Sequence, residues 1–269
     1  MSFVIAAVYK FFALDNPGEL QTLFKELFIQ QEILGTIILA HEGLNGTVCS
    51  TRAGIDAFKN FLDAKGIFVG SEYKEATFHK QVFRRAKVKI KPEIVTLKLP
   101  VDPTKMVGQY IEPKDWNKFI SEPDTIVIDT RNDYEFKIGT FKGAVNPETQ
   151  VFSELMKFVK EKLADKKNQK IAMMCTGGVR CEKSTSLLLQ QGFKNVYHLK
   201  GGILNYLEQI PAAESLWEGE CYVFDQRVSV AHGLEKGKCG ICSGCATSIL
   251  PEEIANFNKQ CQKCFESIV

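Results

Sequence analysis

The sequence predicts a mixed α/β chain with three parts: an α+β sandwich, a parallel-sheet α/β domain and a short cysteine-rich tail. Three observations lead there. Strand and helix periods alternate in a βαββαβ order through the first third, the alternation resumes after a proline-rich span, and the tail carries cysteines at C-x2-C spacing. The chain has 269 residues, 45% of them hydrophobic, which suffices for two cores of ordinary size.

In the first part, Phe3 to Phe12 reads as a strand that Pro17-Gly18 interrupts. From Glu19 to Gln31, Leu20, Leu23, Phe24, Leu27 and Phe28 fall on one helical face. Thr36 to Ala40 and Thr47 to Ser50 read as strands around His41-Glu42-Gly43-Leu44-Asn45-Gly46, where Asn-Gly predicts the tight turn of a hairpin. A second helix from Gly54 to Ala64 aligns Ile55, Phe58, Phe61 and Leu62, and strand-like runs return between Thr77 and Leu99. This order predicts a ferredoxin-like sandwich over residues 1–99.

Pro100, Pro103 and Pro113 mark a linker, and residues 100–123 are assigned to it and a first helix, Lys114 to Ser121. Residues 124–218 then alternate: strand Thr125 to Asp129, helix Ser153 to Leu163, strand Lys170 to Met174, helix Glu182 to Gly192, strand Asn195 to Leu199. Such alternation builds a parallel sheet flanked by helices, with reactive groups where strands end and helices begin.

One such junction is Cys175-Thr176-Gly177-Gly178-Val179-Arg180-Cys181, directly after the buried-strand run Ile171 to Met174. Loop N–H groups, the positive end of the following helix and Arg180 would stabilise a thiolate at Cys175. Thr176, Gly177, Gly178, Val179 and Arg180 then form a cradle for an anion or a persulfide. The alternative is a small buried hydrophobe ending a core strand. Four residues separate Cys175 from Arg180, where cysteine-dependent phosphatases have five. Asp129, Arg131 and Glu135 read as an internal ion-pair network. Cys181 either resolves a disulfide with Cys175 or begins the helix, whose first turn would aim it away from the loop centre.

Residues 219–269 form a Cys-rich extension. Cys239-Gly240-Ile241-Cys242 and Cys261-Gln262-Lys263-Cys264 are C-x2-C knuckles eighteen residues apart, the spacing of a zinc-ribbon-like structural site, with Cys245 a possible replacement for Cys242. Four free thiols are the alternative. Cys221 and Cys49 read as core cysteines. An odd count of nine and the absence of a basic, apolar leader argue against a secreted disulfide framework, and no window is long enough to span a bilayer. A cytoplasmic protein with no membrane partner is expected.

The net charge is +2, but Lys80, Arg84, Arg85, Lys87, Lys89 and Lys91 cluster without an acidic residue between His79 and Lys91. This is a solvated face or the grip on an anionic partner such as RNA, with Phe78 and Phe83 able either to stack a base or to pack in a core. The histidines His41, His79, His198 and His232 show no spacing of an iron triad, and no Gly-rich flavin fingerprint is present, so any redox cofactor and the electron donor are left open.

Asp129-Thr130-Arg131, Glu135, Gly139, the run Phe141 to Asn146, the Cys175 loop and Leu199-Lys200-Gly201-Gly202-Ile203 resemble the signatures of a rhodanese domain. Thr140 stands where many rhodaneses have histidine. Adding the runs from His41 to Thr47 and from Gly219 to Val230, the chain resembles, nearly end to end, the bacterial tRNA uridine hydroxylase family. The resemblance implies a rhodanese-containing oxidoreductase that uses dioxygen to convert the wobble uridine(34) of tRNA to 5-hydroxyuridine, with Cys175 essential and a persulfide carrier in prospect. Two other readings stay open: a sulfurtransferase passing sulfur from Cys175 to tRNA or another acceptor, which needs a sulfur donor and ignores dioxygen, and a zinc-stabilised RNA-binding protein, which would tolerate loss of the Cys175 thiol.

Overall fold

The structure, a computed structural model, describes residues 2–267 and divides into two compact units, Met1–Met106 and Val107–Val269.

The first unit is an acylphosphatase-like α+β sheet. Its strands are β1 (Phe3–Phe11), β2 (Leu34–Ala40), β3 (Gly43–Ser50), β4 (Glu72–Phe78) and β5 (Ala86–Ile90), with helices α1 (Pro17–Gln30) and α2 (Arg52–Ala64) between them. The sheet order is β4-β1-β3-β2-β5, with β5 added parallel to β2 at the edge. Val4, Ala6 and Val8 of β1 join Phe24, Phe28 and Phe58 of the helices in the main core, while Ile5 lies in a second cluster with Cys49 and Val82. Central β1 is therefore buried on both faces, which explains its near-continuous apolar run. Full burial of each valine, isoleucine or phenylalanine among them contributes about 1.5–3 kcal/mol.

Two expectations shift. Pro17 begins α1 instead of breaking the chain before it, because the first helical position has no need of an N–H and Asn16 caps the helix by accepting from the Glu19 N–H at 3.1 Å. The hairpin turn is His41-Glu42, not Asn45-Gly46, since Ala40 pairs with Gly43 and Gly46 pairs with both Val8 and Ile37 in mid-sheet. Gly43, at φ +137°, takes the demanding conformation, and a Cβ there would lie 2.0 Å from the Lys10 carbonyl oxygen. The motif around this turn is a clamp: His41 Nδ1 contacts the Leu14 carbonyl (2.9 Å), Glu42 accepts from the Ile94 N–H (2.7 Å) and Asn45 donates to the Ile94 carbonyl (3.1 Å).

The second unit is an α/β domain followed by a short tail. It is built on a four-stranded parallel sheet of β6 (Gln109–Ile111), β7 (Thr125–Asp129), β9 (Lys170–Met174) and β10 (Asn195–Leu199), in the order β6-β10-β9-β7. Helices α3 (Pro113–Ile120), α4 (Asp133–Phe136), α5 (Leu155–Lys162), α6 (Val179–Gln190) and α7 (Gly202–Gln209) connect or flank these strands. Strand β8 (Gly139–Phe141) pairs antiparallel with β11 (Trp217–Gly219), which brings Trp116, Phe141, Tyr206 and Trp217 into one aromatic cluster. After it come two small ribbons, β12 (Cys221–Tyr222) with β13 (Ser229–Val230) and β14 (Gly240–Ile241) with β15 (Ser248–Ile249), then helices α8 (Pro251–Asn256) and α9 (Gln262–Glu266).

Helix α6 begins at Val179, three residues before the expected start at Glu182. Gly178 caps it at φ 101°, so Arg180 and Cys181 belong to its first turn.

Candidate active site

Strand β9 ends at Met174 and delivers Cys175, fully buried, into the four-residue loop before α6. Two neighbours fix this loop. Thr130, just past β7, donates from its N–H (2.9 Å) and hydroxyl (3.0 Å) to the Met174 carbonyl. At the start of α7, the Ile203 and Leu204 N–H groups donate to the carbonyls of Cys175 and Thr176 at 2.9 and 3.0 Å. Gly202 permits that approach, for a Cβ there would sit 2.6 Å from the Cys175 carbonyl oxygen and 2.7 Å from the Gly178 nitrogen. This gives Gly201-Gly202 a physical role where the sequence alone shows only a signature.

The Cys175 sulfur accepts the Gly178 N–H at 3.2 Å. Burial pushes its pKa up, but a hydrogen bond from Cys181, the positive charge of Arg180 and the N–H groups of Cys181 and Arg180 outweigh burial and bring it to about 6. Of the residues expected to form the cradle, Gly178 and Arg180 act on the sulfur directly, and the flank at Gly177 is open. The Thr176 hydroxyl turns instead to Arg180 Nη2, at 3.2 Å, and Val179 opens the helix.

Arg180 is gripped in turn. Its Nη1 and Nη2 donate to the two Glu135 carboxylate oxygens at 2.7 and 2.8 Å, a buried bidentate pair. Burial opposes the ionised carboxylate, yet the Arg180 guanidinium holds Glu135 below its ordinary range. The sequence groups Glu135 with Asp129 and Arg131, and the structure separates its hydrogen bonds from theirs. Asp129 and Arg131 pair with each other at 2.6 Å, both fully buried, Arg131 reaches the Gly139 carbonyl at 2.5 Å, and the Thr140 hydroxyl donates to Asp129 at 3.0 Å. The signal for Glu135 lay in Asn132-x-x-Glu135, a capping box that places its carboxylate over the Asn132 N–H (3.1 Å) on the side of the loop.

Cys181 departs from expectation. The first turn of α6 buries its side chain, with its sulfur 3.7 Å from the Thr130 hydroxyl. The reason is the early helix start, which rotates position 181 inward. Burial and the adjacent Cys175 thiolate push the Cys181 thiol well above its ordinary pKa.

Among the described residues, one group of cysteines converges on a metal-sized space: Cys242, Cys245, Cys261 and Cys264, whose sulfurs lie within 4.8 Å of one another. This corrects the expected ligand set, in which Cys239 stood in the place of Cys245. Cys239 lies on the other side of β14, buried, its N–H donating to Glu220 at 3.1 Å. Cys242-Ser243-Gly244-Cys245 forms the knuckle instead, closed by the Ala246 N–H on the Cys242 carbonyl (3.0 Å). Backbone N–H groups of Cys245 and Cys261 bring the Cys242 thiol down to about 6.

The histidines do not gather. His41 belongs to the first-unit clamp, His79 stacks on Phe78 with centroids 4.3 Å apart, burial lowers His232, and His198 is buried and pushed down to about 4. Lys80, Arg84, Arg85, Lys87, Lys89 and Lys91 are all exposed, and Val88 packs inward between Lys87 and Lys89 on β5. Phe78 and Phe83 pack against the Ile5 cluster.

A family model described as a UPF0176 acylphosphatase-like domain matches residues 3–94, and one described as a rhodanese-like domain matches residues 112–209. The tRNA uridine(34) hydroxylase of Picosynechococcus sp. is 52% identical over 271 residues, covering 99% of this chain and 91% of that protein. The proteins of the same name from Acinetobacter baylyi and Rhizobium leguminosarum bv. trifolii are 52% and 48% identical, covering 94% and 98% of this chain and 80% and 87% of theirs.

The site geometry makes two expectations testable. Alkylation of Cys175 by a small haloacetamide rises with pH to a plateau with its midpoint at about 6. Arg180→Gln moves that midpoint up by roughly one unit or more. Because the folded thiol is depressed below its unfolded value of about 8.5, its stabilising contribution is full above that value and is lost as pH falls through about 6. For the cysteine cluster, Cys245→Ser lowers the bound metal per chain and Cys239→Ser does not, measured by elemental analysis of the purified proteins.

Proposed function

The chain belongs to the tRNA uridine(34) hydroxylase family, and from that premise we propose that it hydroxylates uridine 34 of tRNA to 5-hydroxyuridine, with dioxygen as oxidant and Cys175 as the reacting group. The observation that carries this reading is the convergence of the Gly178 N–H and the Arg180 charge on one buried sulfur. That arrangement keeps a nucleophile ionised near neutral pH and would equally stabilise a persulfide. A tRNA substrate also puts the site of action in the cytoplasm, and among the described residues no helix is long and apolar enough to cross a membrane.

Lys80, Arg84, Arg85, Lys87, Lys89 and Lys91 are the groups proposed to grip the RNA backbone. Their exposure supports this, and so does the pleat of β5, which sends Lys87 and Lys89 to one face. Cys242, Cys245, Cys261 and Cys264 are proposed to hold zinc. The four-sulfur donor set fits that ion and leaves no open position, so the metal would fasten the tail and take no part in the chemistry.

The deciding experiment supplies isotopically heavy dioxygen to the wild type and to Cys175→Ser with unmodified tRNA, followed by accurate-mass analysis of the nucleosides. Label in uridine with the wild type and none with the variant is expected. A thionucleoside formed only with a sulfur donor, without label, would replace this reading by sulfur transfer. For the RNA grip, the double variant Lys87→Glu, Lys89→Glu binds tRNA more weakly. Its plot of log affinity against log salt flattens by roughly 0.7–0.9 for each phosphate that the variant no longer neutralises.

A further inference from the structure

Phe224 is the most exposed aromatic side chain among the described residues, 61% open to solvent. A single exposed apolar residue needs no explanation, but this one ends a ladder of rings that leads to the Cys175 loop. Its ring meets Tyr222 edge-on with centroids 5.1 Å apart, and Tyr222 meets Tyr134 in the same manner at 5.3 Å. Tyr134 directly precedes Glu135 in α4, and the Glu135 carboxylate both grips Arg180 and accepts from the Thr176 hydroxyl at 3.4 Å. Tyr134 and Tyr222 are half-buried, so exposure rises along the ladder away from that loop. The segment that carries Phe224, residues 223–228 between β12 and β13, is locked. The Val223 N–H donates to the Val228 carbonyl (2.9 Å) and the Val228 N–H to the Asp225 carbonyl (3.1 Å). Arg227 donates from its backbone N–H and Nε to one Asp225 oxygen (2.9 and 3.0 Å) and from Nη2 to the other (2.7 Å), with both side chains buried. Val228 takes φ 69°, a left-handed conformation that β-branched residues rarely adopt and that marks strain.

We propose that Phe224 is the platform on which a base flanking uridine 34 stacks, with Tyr222 and Tyr134 bracing its ring. The choice of RNA as occupant rests on the hydroxylase reading above. A uridine reaches a sulfur buried in a loop only when it is drawn out of its strand, and that leaves the neighbouring base without a stacking partner. An aromatic ring held rigidly on a ladder from the same loop replaces that partner, and its rigidity lowers the cost of binding. Of the apolar residues in the segment, Phe224 alone is exposed, and the other exposed residue, Gln226, is polar. The apolar surface is therefore one ring wide, which fits a base and is too small for a stable protein interface. Phe78 and Phe83, the aromatics beside the basic run, already pack against the Ile5 cluster.

The test measures, by fluorescence anisotropy, the affinity of the full chain for a labelled tRNA anticodon stem-loop, intact or lacking the base on one side of uridine 34 or the other. Phe224→Leu, which keeps the apolar character and removes the π face, is expected to weaken binding of the intact stem-loop roughly 5- to 150-fold. Phe224→Trp restores it, and the emission of the added indole falls when the stem-loop binds. Removing one of the two flanking bases weakens the wild type to a similar extent and Phe224→Leu hardly further, the non-additivity of a direct contact. The pH midpoint of Cys175 alkylation stays in place in Phe224→Leu. Wild-type affinity in Phe224→Leu, full additivity with both base removals, or a displaced alkylation midpoint overturns the platform, and the hydroxylase reading stands if the wild type still hydroxylates tRNA. A wild type that neither binds the stem-loop nor hydroxylates tRNA in the presence of a reductant overturns both.

Discussion

A sulfur anion taken out of water must be compensated by groups that are themselves held in place, and much of the second unit is arranged around that requirement. Burial alone would keep Cys175 protonated. The opposing groups are the Gly178 N–H, the N–H groups of Arg180 and Cys181, the Cys181 side chain and the Arg180 guanidinium. Each traces back to an element: α6 must begin at Val179 to present its first turn, and Gly178 must take a left-handed φ to let it begin there. Arg180 would itself be costly to bury, so Glu135 answers it with a bidentate pair, and the Asn132 capping box orients Glu135. Removing one partner of such a buried pair costs about 3–5 kcal/mol. The loop therefore tolerates little independent change.

The two ends of the loop are secured by different neighbours. Thr130, from the adjacent strand end, fixes Met174, while the N-terminal turn of α7 fixes Cys175 and Thr176 through their carbonyls. That second set of hydrogen bonds occupies the two carbonyls, while the Gly178 N–H donates to the sulfur. The close approach of backbone to backbone at Gly202 leaves no room for a side chain.

In the first unit the motif around Gly43 serves structure. It joins the segment after β1, the β2–β3 turn and the segment after β5 through His41, Glu42 and Asn45, beside an edge strand whose outward face is basic. In the tail, a six-residue helix and a five-residue helix bury little, and the converging sulfurs of Cys242, Cys245, Cys261 and Cys264 are the feature capable of tying them together.

Some of this was legible in the sequence because it depends on local pattern. Strands Thr125–Asp129, Lys170–Met174 and Asn195–Leu199 coincide with the runs read from the sequence, since buried parallel strands are short apolar segments bounded by polar breaks. The position of Cys175 at a strand end followed from the same reasoning. Helix starts were misplaced where a cap or Pro at the first position, not apolar period, decides the boundary, as at Pro17 and Val179. Asn45-Gly46 has turn chemistry, yet strand pairing on both sides overrides it. Choosing Cys245 over Cys239 depends on which side of a two-residue ribbon each sulfur leaves, and spacing does not carry that information. By itself the sequence determined the fold class, the place of Cys175 at a strand end and the basic run, because these rest on periodicity and residue chemistry within one segment. Only the tertiary structure decided that Glu135 answers Arg180, that Cys181 packs beside Thr130 and that Gly202 seals the loop, because those contacts depend on how whole helices are rotated and docked against the strand ends.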